Sequence, residues 1–460
     1  MKKIQPGYRP NIILIVLDSV RQDHLSSYGY SRNTTPNIDS LAAEGTLFEN
    51  AYSTSCWTIP SHASLFTGLY PSKHGVNLEH NLLPPEHETM AGYLKALGYH
   101  TACISCNSFV AGGGTDLNRG FDLTIDVDGY REGESIVDRG IRFLQKRWRK
   151  SIHRDRGAAR AARIAGEYMD AQHGPFFLFM NFMDCHLPYR LQKRQRYQFI
   201  PPMERKRVDR IPLDPFAVMA GELELSPREI AGIRALYDGS LYYLDQQVGR
   251  LVSQLKERGI FEQTIVLITS DHGESFGEHG LFDHQYGLYE HLLRVPLVAH
   301  FPNGSLSGER IKHMIQLVDL FPILKRLVGG PNCGLEPEDY VFLRKPIRAL
   351  ALSEYLVPNL KAIHRRFPNA DVSRFDKPLR AMIDKEYKLI LRRDGTCELY
   401  NLINDPGETI DLSATKREKA AELEARLAAL LGPWPGSGQA ASQFKLDEEL
   451  RERLEAMGYL

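Results

Sequence analysis

Four residues of this sequence have side chains that suit a divalent cation: Asp18, Thr58, Asp271 and His272. Carboxylate and hydroxyl oxygens favour calcium, magnesium or manganese, and an imidazole nitrogen also admits manganese or zinc. Thr58 lies just before Pro60, which favours helix initiation, so its hydroxyl is expected at the positive end of a helix. A cation and a helix dipole both favour the alkoxide, which attacks phosphorus or sulfur. The residues predict one divalent cation, calcium or manganese first and magnesium or zinc as alternatives, beside a nucleophilic hydroxyl.

Buried strands must bring these groups together. A continuous apolar run, typical of a central strand in a parallel sheet, occurs at residues 12–17, and mostly apolar strand patterns occur at Phe176–Phe182 and Thr264–Thr269. Asp18 directly follows the first of these segments, His186 lies four residues beyond the second, and Asp271 and His272 lie two and three residues beyond the third. Functional groups collect beyond the carboxyl ends of strands in open α/β sheets, so we expect these side chains at one sheet edge. The alternative for Asp18 is that it caps the following helix.

Helical patterns alternate with these strands, which predicts an α/β fold with a mostly parallel sheet. They lie at residues 37–44, after Pro60, at 90–97 and at 227–258, the last begun by a Ser226 and Glu229 capping box. Strand patterns at 379–383, 387–391 and 397–400, with a helix at 414–431, predict a smaller antiparallel subdomain. The expected boundaries are 1–345 for the catalytic domain, 346–432 for the α+β subdomain, and 433–460 for a linker and a helix at 446–457.

Composition excludes several classes of protein. With 43% apolar and 25% charged residues, the 460-residue chain has the balance of a globular protein. Its 57 basic residues equal its 57 acidic ones, so no nucleic-acid partner is expected. Six cysteines form no dense disulfide framework, and no segment approaches a membrane span or a complete signal peptide. We therefore expect a cytoplasmic protein without a membrane anchor, and the sequence leaves a homo-oligomer open.

Six blocks of the sequence together resemble the sulfatase family of the alkaline phosphatase superfamily. In chain order they are NIILIVLDSVRQDHLSSYGY, TTPNIDSLAAEGTLFENAY, TIPSHASLFTGLYPSKHG, ITSDHGESFGEHG, LYEHLLRVPLV and ELYNLINDPGETIDL. They cover nearly the whole chain in the order that the family has. The resemblance implies an alkaline-phosphatase-like mixed, mostly parallel sheet sandwiched by helices, with a smaller C-terminal antiparallel subdomain.

The sequence departs from the family at its nucleophile. The family's CxPSR block carries a cysteine that is oxidised to formylglycine, and here Thr58 fills that position while His62 replaces the arginine. Ser19 replaces the second of two adjacent aspartates after the first strand. Thr58 cannot become formylglycine, so an unmodified alcohol is the expected nucleophile.

The resemblance also assigns roles to groups around the nucleophile. The family's GKxH stretch is missing, and Asn107 stands there. We expect His62 and Asn107 to position the nonbridging oxygens of the substrate. The family's leaving-group histidine corresponds to His186 in DCHLPY, and a second basic residue to His284 in FDHQYG. Either histidine is expected to protonate the leaving group.

The nucleophile bears on the substrate class. A sulfated formylglycine hydrate has a second hydroxyl that can collapse and expel sulfate, whereas a sulfothreonine lacks this route. A phosphothreonine can be released by in-line attack of water or an acceptor alcohol. The set of metal ligands, Asp, Thr, Asp and His, resembles that of the superfamily's phosphodiesterases and of its phosphoglycerol and phosphoethanolamine transferases. Those enzymes use threonine. The sequence thus predicts cleavage of a small anionic phosphodiester or phosphomonoester through a covalent Thr58 intermediate, by hydrolysis or transfer. The alternatives are a sulfatase and a catalytically degenerate member that binds an anion or a partner.

Overall fold

The computed structural model describes residues 9–112, 114–127, 155–189, 191, 193–330 and 336–435. The helix predicted at 446–457 and most of the predicted linker lie outside the described residues. Among the described helices, none combines the length and the apolar character needed to cross a membrane.

The described strands fall into a large sheet, a smaller sheet and one short hairpin. Their bounds are β1 Asn11–Leu17, β2 Thr46–Tyr52, β3 His100–Ser105, β4 Leu123–Asp126, β5 Phe176–Phe182, β6 Thr264–Thr269, β7 Ser275–Phe276, β8 Phe282–Asp283, β9 Arg294–Val295, β10 Leu297–His300, β11 Glu309–Gln316, β12 Ala351–Tyr355, β13 Leu379–Ile383, β14 Tyr387–Arg392 and β15 Cys397–Asn401. The large sheet has the order β11-β2-β10-β6-β1-β5-β3-β4, and β9 also pairs with β2. Its strands run in the direction of β1 except β9 and β10, so most carboxyl ends meet at one edge.

Helices cover both faces of the large sheet. The described α-helices are Pro36–Glu44, Thr58–Thr67, Pro71–His74, Met90–Ala96, Ser108–Ala111, Ala158–Asp170, Lys193–Arg196, Arg205–Val208, Pro215–Met219, Pro227–Glu257, Glu290–Leu293, Leu320–Val328, Lys361–Arg366 and Arg417–Leu431. Alternate residues of β1 belong to different cores: Ile12 and Leu14 pack in one, and Ile13 and Ile15 pack in the other. Both faces of the strand are thus buried, which explains its unbroken apolar sequence.

The smaller sheet has the antiparallel order β12-β13-β14-β15. Helix Arg417–Leu431 packs on it through Leu423 and Leu427, which share a core with Leu389 and Leu399. The first strand of this sheet also binds the segment that follows β2. The Ser353 hydroxyl donates to the Ser53 carbonyl over 2.7 Å, and the Ser55 hydroxyl donates to the Glu354 carbonyl over 2.9 Å. The smaller sheet therefore supports the chain just before Thr58.

The predicted fold class is confirmed, with local corrections. The predicted strands at Phe176–Phe182 and Thr264–Thr269 have the same bounds in the structure, and both halves of the Ser226 capping box are present. The helix predicted to start after Pro60 begins at Thr58, because Trp57 is its N-cap. The helix predicted from residue 414 begins at Arg417.

Candidate active site

Adjacent parallel strands deliver the predicted metal ligands to one place. Val16 of β1 pairs with Thr269 of β6, so Asp18 and Asp271 leave the sheet two residues beyond this pair. One ligand atom from each of Asp18, Asp271 and His272 lies within 4.8 Å of the others. The Thr58 hydroxyl, on the first residue of its helix, is 3.3 Å from His272 Nε2. We call Asp18, Thr58, Asp271 and His272 the first cluster, and all four are fully buried.

The surroundings of the buried Asp271 carboxylate indicate a cation site. Its Oδ1 accepts hydrogen bonds from the amides of Ser19 and His272 over 3.3 and 3.0 Å. Its buried Oδ2 has no hydrogen-bond partner among the described residues, and it lies 3.4 Å from His272 Nε2. Burial and the nearby Asp18 carboxylate raise the pKa of Asp271 well above its ordinary value. Two adjacent buried carboxylates are costly without a compensating positive charge, so this donor set fits a divalent cation.

His272 is held in the form that binds metals. Its Nδ1 lies 2.9 Å from the Gly273 carbonyl oxygen, which places the proton on Nδ1 and a lone pair on Nε2. Burial and the neighbouring His284 lower the pKa of His272 to about 3, so the ring is neutral at pH 7. A Cβ on Gly273 would lie 1.9 Å from the His291 carbonyl oxygen. The glycine of the DHG motif is therefore required by the close approach of this backbone.

The predicted oxygen-positioning residues make contacts within the protein. The Asn107 amide donates to Asp18 Oδ2 over 2.9 Å, and its own oxygen accepts from the Phe109 amide. His62 Nδ1 lies 2.9 Å from the Thr58 carbonyl oxygen and 3.5 Å from Asp271 Oδ2. Burial lowers the pKa of His62. Contact of either residue with substrate oxygens stays a prediction, and both residues hold members of the first cluster in position.

Two further predicted histidines adjoin the first cluster. The His284 ring stacks on the His272 ring with a centroid distance of 4.5 Å, and the His186 ring meets His284 edge-on at 4.8 Å. His186 Nδ1 lies 2.7 Å from the Leu187 carbonyl oxygen, and burial lowers the pKa of His186 to about 4. His186 is therefore neutral at pH 7. The Nδ1 atom of His284, the other predicted proton donor, lies 2.5 Å from Asp283 Oδ1.

Sequence reasoning missed two acidic residues beside these histidines. Asp283 forms a group with His186 and His284 whose ligand atoms lie within 4.8 Å of one another, which we call the second cluster. Glu274 is fully buried near it. A signal for Asp283 was present, because the dipeptide Asp-His occurs both at 271–272 and at 283–284.

Comparisons with known proteins found two matching family models and several curated relatives. The family model described as Sulfatase matches residues 10–330, and the model described as N-sulphoglucosamine sulphohydrolase, C-terminal, matches residues 277–432. The chain is 26% identical to the uncharacterized sulfatase YidJ of Escherichia coli strain K12, over 88% of this chain and 83% of that protein. It is 25% identical to an arylsulfatase of Clostridium perfringens, over 89% and 92% of the two chains.

Solved structures share the fold. The phosphonate monoester hydrolase of Agrobacterium radiobacter superposes with a TM-score of 0.69 at 22% identity, covering 92% of this chain and 96% of the other. A structure described as bound to its substrate D-glucosamine-2-N,6-O-disulfate superposes with a TM-score of 0.65 at 19% identity, covering 92% and 97%. At these identities the likeness establishes the alkaline-phosphatase-like fold.

Proposed function

This chain belongs to the sulfatase family, and from that premise we propose that it hydrolyses sulfate esters at the first cluster. Family membership supports a hydrolase that acts on ester bonds, and the two curated relatives above are named as sulfatases. These names favour sulfate esters over the phosphoesters that the sequence put first. The observation that carries a catalytic role is the unpartnered, buried Asp271 Oδ2 beside His272, whose Nε2 faces the Thr58 hydroxyl.

The first cluster is the proposed cation site. Asp18, Asp271 and His272 supply two carboxylates and one neutral imidazole, and Thr58 supplies a hydroxyl oxygen. Calcium or manganese suits this set best, with magnesium or zinc as alternatives. When bound, the cation favours ionisation of an alcohol and stabilises charge on the transferred group.

Thr58 is the proposed nucleophile. Its Oγ1 forms a bond to sulfur while the ester S–O bond breaks, so the alcohol is released and a sulfothreonine remains. The step is neutral in protons, because the hydroxyl loses one and the leaving alkoxide gains one. Water then attacks sulfur, which restores the Thr58 hydroxyl and releases sulfate with a proton. The second cluster lies beside His272 and is proposed to stabilise the leaving oxygen.

Phosphoesters are the second candidate, and Thr58 is the observation that favours them. A sulfothreonine has no second hydroxyl whose collapse would expel sulfate, so its release depends on direct attack at sulfur. Attack at phosphorus releases a phosphothreonine without that difficulty. A phosphodiester or phosphomonoester would use the same residues in the same order.

A substrate panel distinguishes these candidates. The full chain, loaded in turn with calcium, manganese, magnesium or zinc, is assayed on 4-nitrophenyl sulfate, 4-nitrophenyl phosphate and bis(4-nitrophenyl) phosphate. We expect the highest kcat/KM on the sulfate. A kcat/KM more than roughly tenfold higher on either phosphoester would replace the proposal with the second candidate. Absence of turnover on all three esters by metal-loaded protein would favour the non-catalytic alternative.

A further inference from the structure

We propose that Tyr237 is a positioning residue for the cation site, because its hydroxyl fixes the backbone turn at Ser19 beside the carboxylate ligands. Tyr237 lies in the helix Pro227–Glu257 and is fully buried. The inference rests on the cation site of the proposed function. It does not depend on whether sulfate or phosphate esters are cleaved, because it concerns how the ligands are held.

Ser19 contacts both carboxylates of the first cluster. Its hydroxyl donates to Asp18 Oδ1 over 3.1 Å, and its amide donates to Asp271 Oδ1 over 3.3 Å. The amide of the next residue, Val20, donates to the Ser270 hydroxyl over 2.9 Å. The turn at Ser19 therefore links the two carboxylates that would share a cation, and a displacement of Ser19 breaks a hydrogen bond to each.

The backbone of Ser19 is in the left-handed region, with φ of 62°. Residues with a Cβ adopt this conformation uncommonly, because the Cβ crowds the backbone, and they keep it only where the surroundings impose it. Ser19 is fully buried, so the groups that impose this conformation belong to the protein. A turn of this kind relaxes when its restraint is removed.

The hydroxyl of Tyr237 binds the backbone on both sides of this turn. It donates to the Ser19 carbonyl oxygen over 2.9 Å and accepts from the Arg21 amide over 2.8 Å. Burial raises the pKa of Tyr237 well above its ordinary value, so the hydroxyl keeps the proton that it donates. One oxygen atom thus bonds two buried backbone groups that lie two residues apart, which fixes the turn between them.

The ring of Tyr237 is packed among other aromatic rings. The centroid of the Phe276 ring lies 5.0 Å away, and the rings of His24 and Tyr189 lie edge-on at 5.1 and 5.8 Å. Aromatic pairs prefer such edge-to-face arrangements, so the ring is held in one orientation and its hydroxyl stays at the turn. The helix that carries Tyr237 thereby supports the two carboxylate ligands through Ser19.

Cation titration tests the inference without a substrate. The full chain is stripped with a chelator and titrated in a calorimeter with Mn²⁺ and, separately, with Ca²⁺. We expect Tyr237→Phe, which keeps the ring, to bind the cation roughly 10- to 100-fold more weakly than the wild type. The matched control is Tyr99→Phe, because the buried Tyr99 hydroxyl also donates to a backbone carbonyl, that of Pro10, over 3.0 Å.

Pro10 precedes β1, at the end of the strand opposite Asp18, so Tyr99→Phe should keep wild-type affinity. Equal cation affinity in Tyr237→Phe and in the wild type would overturn the inference while leaving the proposed function intact. Absence of binding by the wild type would contradict the cation site itself, and the proposed function would fail together with the inference.

Substitutions at Ser19 separate positioning from a general loss of stability. Glycine adopts a positive φ without the penalty that a Cβ brings, alanine retains that penalty, and both remove the serine hydroxyl. We expect Tyr237→Phe to lower Mn²⁺ affinity by at least about tenfold in a Ser19→Ala protein and by less than about threefold in a Ser19→Gly protein. Equal effects of Tyr237→Phe in the two proteins would show that its hydroxyl does not act through the turn, and would overturn the inference.

Discussion

The hydroxyl of Thr58 lies 3.3 Å from Nε2 of His272, at the first residue of a buried helix. The opposite ring nitrogen of His272 faces the Gly273 carbonyl oxygen, so the lone pair points to the side of the hydroxyl. A cation bound by His272 is thereby directed toward the oxygen that the sequence identifies as nucleophile.

Thr58→Ala should lower kcat on 4-nitrophenyl sulfate by roughly a thousandfold or more, because it removes the attacking oxygen. The thermal unfolding midpoint should change little, since only a few buried atoms are lost. Thr58→Ser keeps a hydroxyl and should retain measurable turnover. Thr58→Ala with wild-type kcat would remove the nucleophile assignment.

Asp271→Asn should have opposite effects on the metal-free and the metal-loaded protein. It removes one of two adjacent buried carboxylates, so the chelator-treated variant should melt at a higher temperature than chelator-treated wild type. Cation affinity at the first cluster, measured by calorimetry, should fall by more than about 100-fold, because an anionic ligand is lost. Equal cation affinity in the two proteins would contradict the ligand set.

The Arg21–Glu278 pair should make stability sensitive to acid. Burial opposes ionisation of Glu278, but the Arg21 guanidinium and the His291 ring lower its pKa to about 2. The pKa is lower in the folded state, so this contribution is complete above about pH 4.5 and is lost as pH falls toward 2. Glu278→Gln should cost roughly 2–3 kcal/mol of unfolding free energy at pH 7, measured by urea denaturation. The two proteins should converge near pH 2, and a constant difference in unfolding free energy between pH 4.5 and pH 2 would contradict the assignment.

Ser55→Ala should weaken the support of the nucleophile. It leaves the buried Glu354 carbonyl without the 2.9 Å hydrogen bond that it accepts from the Ser55 hydroxyl, and should cost about 1–3 kcal/mol of stability. Displacement of the adjoining Thr58 should lower kcat by roughly tenfold. The matched control is Ser307→Ala, since the exposed Ser307 hydroxyl also donates to a carbonyl, that of Glu44, over 2.7 Å. Equal kcat values for the two variants would show that the bond does not position Thr58.

The sequence predicted the strands that are buried because their own residues are mostly apolar. The strands Phe176–Phe182 and Thr264–Thr269 are buried along their whole length, so their mostly apolar sequences predicted both bounds. Strand β12 contains Glu354, which is buried because Arg380 binds it over 2.9 Å from the adjacent strand. No local pattern indicates a strand whose charge is balanced by a residue 26 positions away. A strand of this kind is stabilised by contacts with residues that are distant in the sequence, so the local sequence does not predict it.

The same distinction holds within the candidate site. Asp18 and Asp271 follow predictable strands, so their proximity could be inferred from strand order. Asp283, the last residue of β8, adopts a left-handed backbone with φ of 68°, and the amide of Gln285 two residues later donates to the Cys56 carbonyl over 3.3 Å. Its position depends on contacts between distant segments, which is why sequence reasoning named His284 and missed its neighbour.

The hydrogen bonds between β12 and the segment before Thr58 join parts of the chain that are far apart in sequence. Ser353 and Ser53 are 300 positions apart, so the turn that presents the nucleophile is completed only after most of the polypeptide has been synthesised. A nascent chain that ends before β12 contains β1 and β6, which precede Asp18 and Asp271, but it lacks these hydrogen bonds. We therefore expect the segment before Thr58 to reach its final position only after β12 has been synthesised and has paired with it.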